Sequence, residues 1–196
     1  MPEILLIRHG MPLCDHRTKI RGCDFAGWVA AYDHASIDRS ILPAPELHAR
    51  VAAVSCIVTS KLRRSIESAS LVAARFALTS DSLFDEAGIP TSLPFRFALS
   101  PKHWDMLARA AWILGWSPGV ESFRAARRRA ARAAAHLETL SCEYGAVTLF
   151  GHGMLNTLIA RALRRSGWIG TGSPRTYWGC VVLQKSGSNH QRIGKD

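Results

Sequence analysis

The chain has 196 residues, enough for one domain of ordinary size, and 47% of them are apolar, enough for a sizeable core. No apolar run reaches the roughly 18 residues of a membrane span, and the amino terminus, with Glu3 inside it and only Ile4–Ile7 apolar, lacks the pattern of a secretory signal, so a cytoplasmic location without membrane insertion is expected. The formal charge of +10 and pI near 10 point to an acidic partner, which a phosphorylated small molecule, a nucleic acid or an anionic surface would satisfy equally.

In chain order, Glu3–Ile7 predicts a buried strand that stops at Arg8-His9-Gly10. Phe25–Ala35 predicts a helix, Ile41 to Pro45 a loop, and Glu46–Val54 a second helix. Ser55–Thr59 is a second buried strand, after which Ser60 caps a helix over Leu62–Phe76, with Leu62, Ile66, Ala69, Val72 and Phe76 on one face. Ser82–Phe84 is a third strand, and Asp85–Phe97, with Gly88, Pro90 and Pro94, is a loop. Pro101–Leu114 is helical, Gly115–Gly119 breaks it, and Glu121–Leu140 is a long helix with a stripe of Phe123, Ala126, Ala130, Leu137 and Leu140. Ala146–Phe150 is a strand, Gly151-His152-Gly153 opens a helix ending near Arg165, and Tyr177–Leu183 is a last strand. Strands alternating with helices predict a single α/β domain over 1–185, a central mostly parallel sheet flanked by helices. Residues 186–196 are a polar tail, expected to fray. The five cysteines, an odd number with no CxxC pair and no metal spacing, read as reduced thiols.

Two segments share a design. Leu5-Leu6-Ile7-Arg8-His9-Gly10 and Leu149-Phe150-Gly151-His152-Gly153 are each a buried strand ending in a glycine-flanked histidine. In open α/β sheets ligands bind outside the carboxyl ends of the strands, which puts both histidines at one edge. Glycine beside each permits close backbone approach, and the helix that starts after His152 favours an anion. Ser60-Lys61-Leu62-Arg63-Arg64, next after the second strand, brings guanidinium groups to the same edge, where their forks match phosphate oxygens. Two histidines and two arginines around one anion predict a phosphoryl-transfer site.

These residues resemble a known family. Arg8-His9-Gly10 after an amino-terminal strand is similar to the Arg-His-Gly signature of the histidine phosphatase superfamily, which includes the cofactor-dependent phosphoglycerate mutases. Thr59-Ser60-Lys61-Leu62-Arg63-Arg64-Ser65 looks like its second motif and Gly151-His152-Gly153 its second-histidine segment, all in family order. The resemblance implies a phosphoglycerate mutase-like fold in which His9 is the nucleophile that accepts the phosphoryl group. It implies that Arg8 and Arg64 clamp the oxygens, and that His152 binds them and stabilises the transition state. Glu86, in Leu83-Phe84-Asp85-Glu86, is implied as the general acid, with Asp85 as its rival. Gly10 and, on a looser match, Arg21 are expected on the substrate side.

The chemistry is consistent with those roles. A neutral imidazole is a good nucleophile near neutral pH, fixed cations stabilise equatorial oxygens, and a protonated carboxyl serves the leaving alkoxide. Such a reaction requires neither a metal nor an organic cofactor. The sequence departs from the mutases where Met11-Pro12-Leu13 comes after Gly10 and where Ala87-Gly88-Ile89-Pro90 comes after the acid. The expectation is therefore a phosphatase acting on a phosphate monoester, with a phosphoglycerate mutase-type phosphotransferase and a non-catalytic phosphate or nucleic-acid binder of the same fold as alternatives. Arg63 is expected to be a solvated neighbour of Arg64. Arg124, Arg128 and Arg132 repeat at helical spacing and read as a solvated face rather than a nucleic-acid groove. Trp104, Trp112 and Trp116 read as core and lid packing, and His16, His34, His48, His103, His136 and His190 as surface or packing residues.

Overall fold

The computed structural model describes residues 1–73 and 77–185. Its centre is a six-stranded sheet built from β1 (Glu3–Arg8), β3 (Cys56–Thr59), β4 (Leu78–Ser80), β6 (Ala146–Gly151), β7 (Trp168–Gly172) and β8 (Cys180–Lys185), in the order β4-β3-β6-β1-β8-β7. β1 pairs parallel with β6, and β3 pairs parallel with both β6 and β4, whereas β8 and β7 run antiparallel at the other side. Ile4 to Ile7 of β1 and Val147, Leu149 and Phe150 of β6 are fully buried, because both faces of these central strands are covered by helices.

α5 (Phe123–Tyr144) and α6 (Gly153–Arg165) cover one face, with Ala126, Ala130, Ala133 and Leu137 packed against Ile4, Leu6 and Leu149. α2 (Pro45–Ala52) and α3 (Arg63–Val72) cover the other, with Val51 and Ala69 packed against Ile7 and Ile57. A third, smaller cluster joins α1 (Phe25–His34) to α4 (Pro101–Ile113) through Phe25, Ile89, Leu93 and Trp104, beside a two-residue ladder of β2 (Ile20–Arg21) and β5 (Ala98–Leu99). α1, α4 and this ladder stand above the carboxyl edge of the parallel strands.

Several expectations are corrected. Ser82–Phe84 is a single 3-10 turn, not a strand, because the Asp81 carboxylate accepts the Leu83 amide and winds the backbone. The strand lies just before it, at β4. β7 was not expected; its Trp-Ile-Gly-Thr-Gly carries two glycines in five residues. Its glycine is required by pairing: a Cβ at Gly170 would lie 1.8 Å from the Val182 carbonyl oxygen. The last strand begins at Cys180 rather than Tyr177, because Trp178 takes a left-handed backbone conformation (φ 60) that interrupts extension. Ser60 does not cap α3, whose first residues come after an uncapped Leu62. Its hydroxyl instead accepts the Leu62 amide while facing His152. α5 runs past Leu140 to Tyr144, with Ser122 accepting the Ala125 amide at its start and Gly145 (φ 78) turning the chain into β6. The expected end of the third helix at Phe76 and the tail from Ser186 lie outside the described residues. Among the described residues no helix is long and apolar enough to cross a membrane.

Candidate active site

β1, β3 and β6 end side by side, and the residues at and just beyond these three ends form the site. β1 delivers Arg8 and His9. The turn after β3 leads into α3 and Arg64, and β6 ends at Gly151, followed by His152, the residue before α6. Three serines lock these ends together with Ser60 facing His152. Ser65 Oγ donates to the Phe150 carbonyl and accepts the Ser60 amide, and Ser68 Oγ accepts the Gly10 amide (2.8 Å) while donating to the Arg64 carbonyl. Gly10 has to be glycine, since a Cβ there would meet the Trp178 ring at 2.7 Å. The Trp178 amide in turn bonds the Arg8 carbonyl, so the left-handed residue braces the turn that carries His9.

His9 is buried, and its Nδ1 sits 2.7 Å from the Gly10 carbonyl oxygen, which assigns the proton to Nδ1. Nε2 is then the lone-pair nitrogen, and the Arg64 Nε–H points at it from 3.2 Å. Burial lowers the His9 pKa well below the usual imidazole value, and His152, Arg64 and Arg8 lower it further, so the ring is neutral. His152 is also fully buried, its ring centroid 5.1 Å from that of His9. Its Nε2 meets Ser60 Oγ at 2.7 Å, whereas its Nδ1 is buried with no protein partner. Burial first, then Arg64 and Arg8, lower its pKa in the same way. The Nε of Arg8 is likewise buried and unpartnered. Unsatisfied buried polar atoms are costly, and these two belong to residues next to His9, one its chain neighbour and the other with its ring 5.1 Å away.

Arg64 is almost fully buried, held by Asp33 Oδ1 at 3.0 Å and stacked 4.8 Å from the Tyr32 ring centre. Arg8 stacks 4.4 Å from the Tyr177 ring centre and donates to the Arg175 carbonyl. The two clamps therefore have fixed planes. These residues line a cavity of about 980 Å³ that also takes in Asp85, Glu86, Asp105 and Arg109.

The carboxylates there differ. Glu86 accepts the Met154 and Leu155 amides in the first turn of α6 and the Ala87 amide, with Arg109 3.8 Å away. Burial pushes its pKa up, but Arg109 and those amides outweigh burial and hold it below the usual range. Asp85 accepts the Lys61 amide at 2.8 Å, and burial raises its pKa. Burial also raises that of Asp105, which pairs with Arg109.

Of the residues singled out from sequence, Arg8, His9, Arg64, Asp85 and Glu86 line this cavity, and Gly10 and His152 are packed directly beside it. Arg21 is not brought in: it is exposed on β2 and paired with Asp24 at 2.9 Å. Arg63 points to solvent and pairs with Glu67. Trp104 and Trp112 are core, while Trp116 is exposed. Asp33, Tyr32, Tyr177 and Arg109 were missed, because they come from α1, the segment before β8, and α4, and no local motif marks them. Arg129 was hidden inside the basic block, although it lies three positions after Ala126 on the inward side of the helix. It pairs with Glu121 and donates to the Leu83 and Asp85 carbonyls, so it anchors the loop that carries Glu86. Among the described residues, no three His, Cys, Asp or Glu side chains gather as a metal-binding group.

The model of the histidine phosphatase superfamily (branch 1) matches residues 38–172, which include the Arg64 and His152 segments. Among solved structures, the fold is similar to the mycobacterial glucosyl-3-phosphoglycerate phosphatase, with 20% identity, 84% of this chain and 80% of that one covered, and a TM-score of 0.56. It is also similar to a phosphoserine phosphatase from Entamoeba histolytica in complex with phosphoserine, at 14% identity, coverage of 93% and 90%, and a TM-score of 0.61. A putative alpha-ribazole-5'-P phosphatase from Escherichia coli matches at 18% identity, 81% and 78% coverage, and a TM-score of 0.55. None of the curated proteins matches in sequence.

Proposed function

The chain belongs to the histidine phosphatase superfamily, branch 1, and on that premise we propose that it hydrolyses a phosphate monoester through a phosphohistidine at His9. The observation that carries this reading is the pairing of a neutral His9, its Nε2 turned toward Arg64, with the buried unpartnered nitrogens of Arg8 and His152. The solved structures of similar fold, one of them a phosphoserine phosphatase bound to phosphoserine, favour a phosphorylated small molecule as substrate.

In the first step the Nε2 lone pair forms the N–P bond as the P–O bond to the leaving group breaks. Arg8, Arg64 and His152 donate to the equatorial oxygens, where charge accumulates. The leaving oxygen takes a proton from Glu86. That carboxylate is ionised in the free site, but a phosphate dianion offsets the field of Arg8, Arg64 and Arg109 and adds like charge, which raises the Glu86 pKa as substrate binds. In the second step a water oxygen attacks phosphorus, the N–P bond breaks, and Glu86 takes the water proton. Asp85 serves the fold of the turn, through Lys61, and is the rival donor.

The test is release of phosphate from a generic aryl phosphate by the purified protein beside His9→Ala, Glu86→Gln and Asp85→Asn. The expected result is turnover in the wild type, none in His9→Ala, and a larger loss in Glu86→Gln than in Asp85→Asn. Equal turnover in wild type and His9→Ala would contradict the mechanism.

A further inference from the structure

The arginines on α5 and α6 are not explained by the catalytic cavity. α5 and α6 both begin at the carboxyl edge of the sheet and run down the same face, since each is antiparallel to β6 between them in sequence. A groove of about 740 Å³ separates their outer surfaces, with a floor of small side chains such as Ala131, Ala135 and Ala162. Its walls carry Arg124, Arg127 and Arg128 from α5 and Arg161 and Arg165 from α6, all exposed. None of the five has an ion pair or a hydrogen bond among the described residues, and Arg127 alone has a ring beneath it, Phe123 at 6.0 Å. Among the described residues the one acid lining the groove, Glu138, is already engaged by Lys185 at 3.7 Å and by the Trp168 indole N–H. Five like charges from two helices, without a counter-charge, repel one another and favour a polyanion.

Two further observations define that anion. The groove adjoins the catalytic cavity, in that Phe123 and Arg161 line both. Its cations are all arginine, the side chain whose planar fork matches phosphate. Arg124 and Arg128 are one helical turn apart, as are Arg161 and Arg165, a rise of about 6 Å. With both helices starting at the same edge, Arg124 and Arg128 lie in the first two turns of α5 and Arg161 and Arg165 from the third turn of α6 on, so the arginine positions follow one another about one per turn, on the order of the repeat of an extended phosphodiester chain and well above that of a chain of directly linked phosphates. Among the described residues no aromatic ring other than Phe123 lines the groove, which favours recognition of backbone over bases.

We propose that the groove between α5 and α6 is a leaving-group subsite that holds the phosphodiester backbone of a short single-stranded oligonucleotide whose terminal phosphate monoester enters the cavity at His9. The proposal rests on the phosphatase reading for its chemistry and on the groove for its substrate class, in place of the small molecule that the structures of similar fold favour. The terminal P–O bond is cleaved by attack of His9 Nε2 on phosphorus, and the oligonucleotide departs with a free hydroxyl.

The experiment measures kcat/KM for phosphate release from 5′-phosphorylated oligothymidylates of one, two and four nucleotides, in wild type and in Arg128→Glu/Arg165→Glu. Both positions are exposed, lie outside the catalytic cavity and accept glutamate as a good helix former. The expected result is about a tenfold rise in kcat/KM from one to four nucleotides in wild type, which shrinks as salt is raised and disappears in the double variant. An aryl phosphate assayed alongside reports on the chemistry alone. Aryl phosphate turnover with no length advantage, or an advantage that survives charge reversal, overturns the proposal while leaving the phosphatase reading intact. If no substrate is turned over, binding of fluorescent tetrathymidylate to the wild type and the double variant tests the groove by itself. Salt-sensitive binding lost in the variant supports it, and absent or unchanged binding refutes it. Stronger binding of a polyglutamate peptide than of tetrathymidylate would assign the groove to an acidic protein and also overturn it.

Discussion

Arg64 and Arg128 carry the same guanidinium group in opposite settings. Arg64 is buried at the carboxyl edge of the sheet, with Asp33 on one nitrogen, His9 on another and the Tyr32 ring beneath. Arg128 is exposed in the groove between α5 and α6 and has no partner among the described residues. The first is fixed in advance, which suits a group that must stabilise charge at the moment of reaction without reorganising. The second is free to adapt, which suits recognition of a flexible chain at the cost of lower affinity per contact. Phe123 and Arg161 line both regions, and the proposed oligonucleotide would pass from one to the other beside them.

Substitutions can sharpen or break that contrast. The largest effect is expected from His9→Ala, with kcat reduced by about 10⁴-fold or more, as loss of a covalent nucleophile leaves only binding and electrostatics. Arg64→Ala should lower kcat/KM for an aryl phosphate by about 10²- to 10³-fold. A matching loss in Arg128→Ala would erase the distinction between the two regions. Glu86→Gln should reduce kcat by about 10²-fold, most strongly for poor leaving groups, read from a series of aryl phosphates of differing leaving-group pKa.

The buried edge also predicts a pH effect that the groove does not. His9 and His152 are held neutral in the folded protein, chiefly by burial, while in the unfolded chain they protonate near 6.5. As pH falls through about 6.5 the unfolded chain takes up protons that the folded one refuses, so stability present above that pH is lost below it. Tm should therefore fall between pH 7 and 5, and fall less in His9→Asn/His152→Asn. The smallest effect concerns the groove: Arg128→Glu/Arg165→Glu should shift Tm by less than about 3 °C, since exposed substitutions away from the core rarely move stability further.

The central strands and most helices are legible in the sequence because their apolar runs and helical stripes are long. Ile4 to Ile7 and Ala146 to Phe150 could only be buried strands, and three strand-end motifs place Arg8, His9, Arg64 and His152 at one edge. The antiparallel side is not legible, because β7 is written in glycines chosen for close pairing with β8, and β4 is too short to show a period. Site residues fixed by tertiary contact are equally hidden. Asp33 reaches Arg64 across 31 positions, and Arg129 differs from its exposed neighbours Arg128 and Arg132 only in helical phase. The proposed general acid is legible in position but not in state. Glu86 occupies the expected place, yet the amides of α6 and Arg109 that hold it ionised come from other parts of the chain.

The central claim is that His9 carries the phosphoryl group. Rapid quenching of the wild-type protein during turnover of an aryl phosphate, with mass analysis under alkaline conditions that preserve phosphohistidine, tests it directly. A phosphoryl group is expected on the peptide containing His9, absent in His9→Ala and longer-lived in Glu86→Gln. Sustained turnover with no phosphoryl group on His9 at any time point would contradict it.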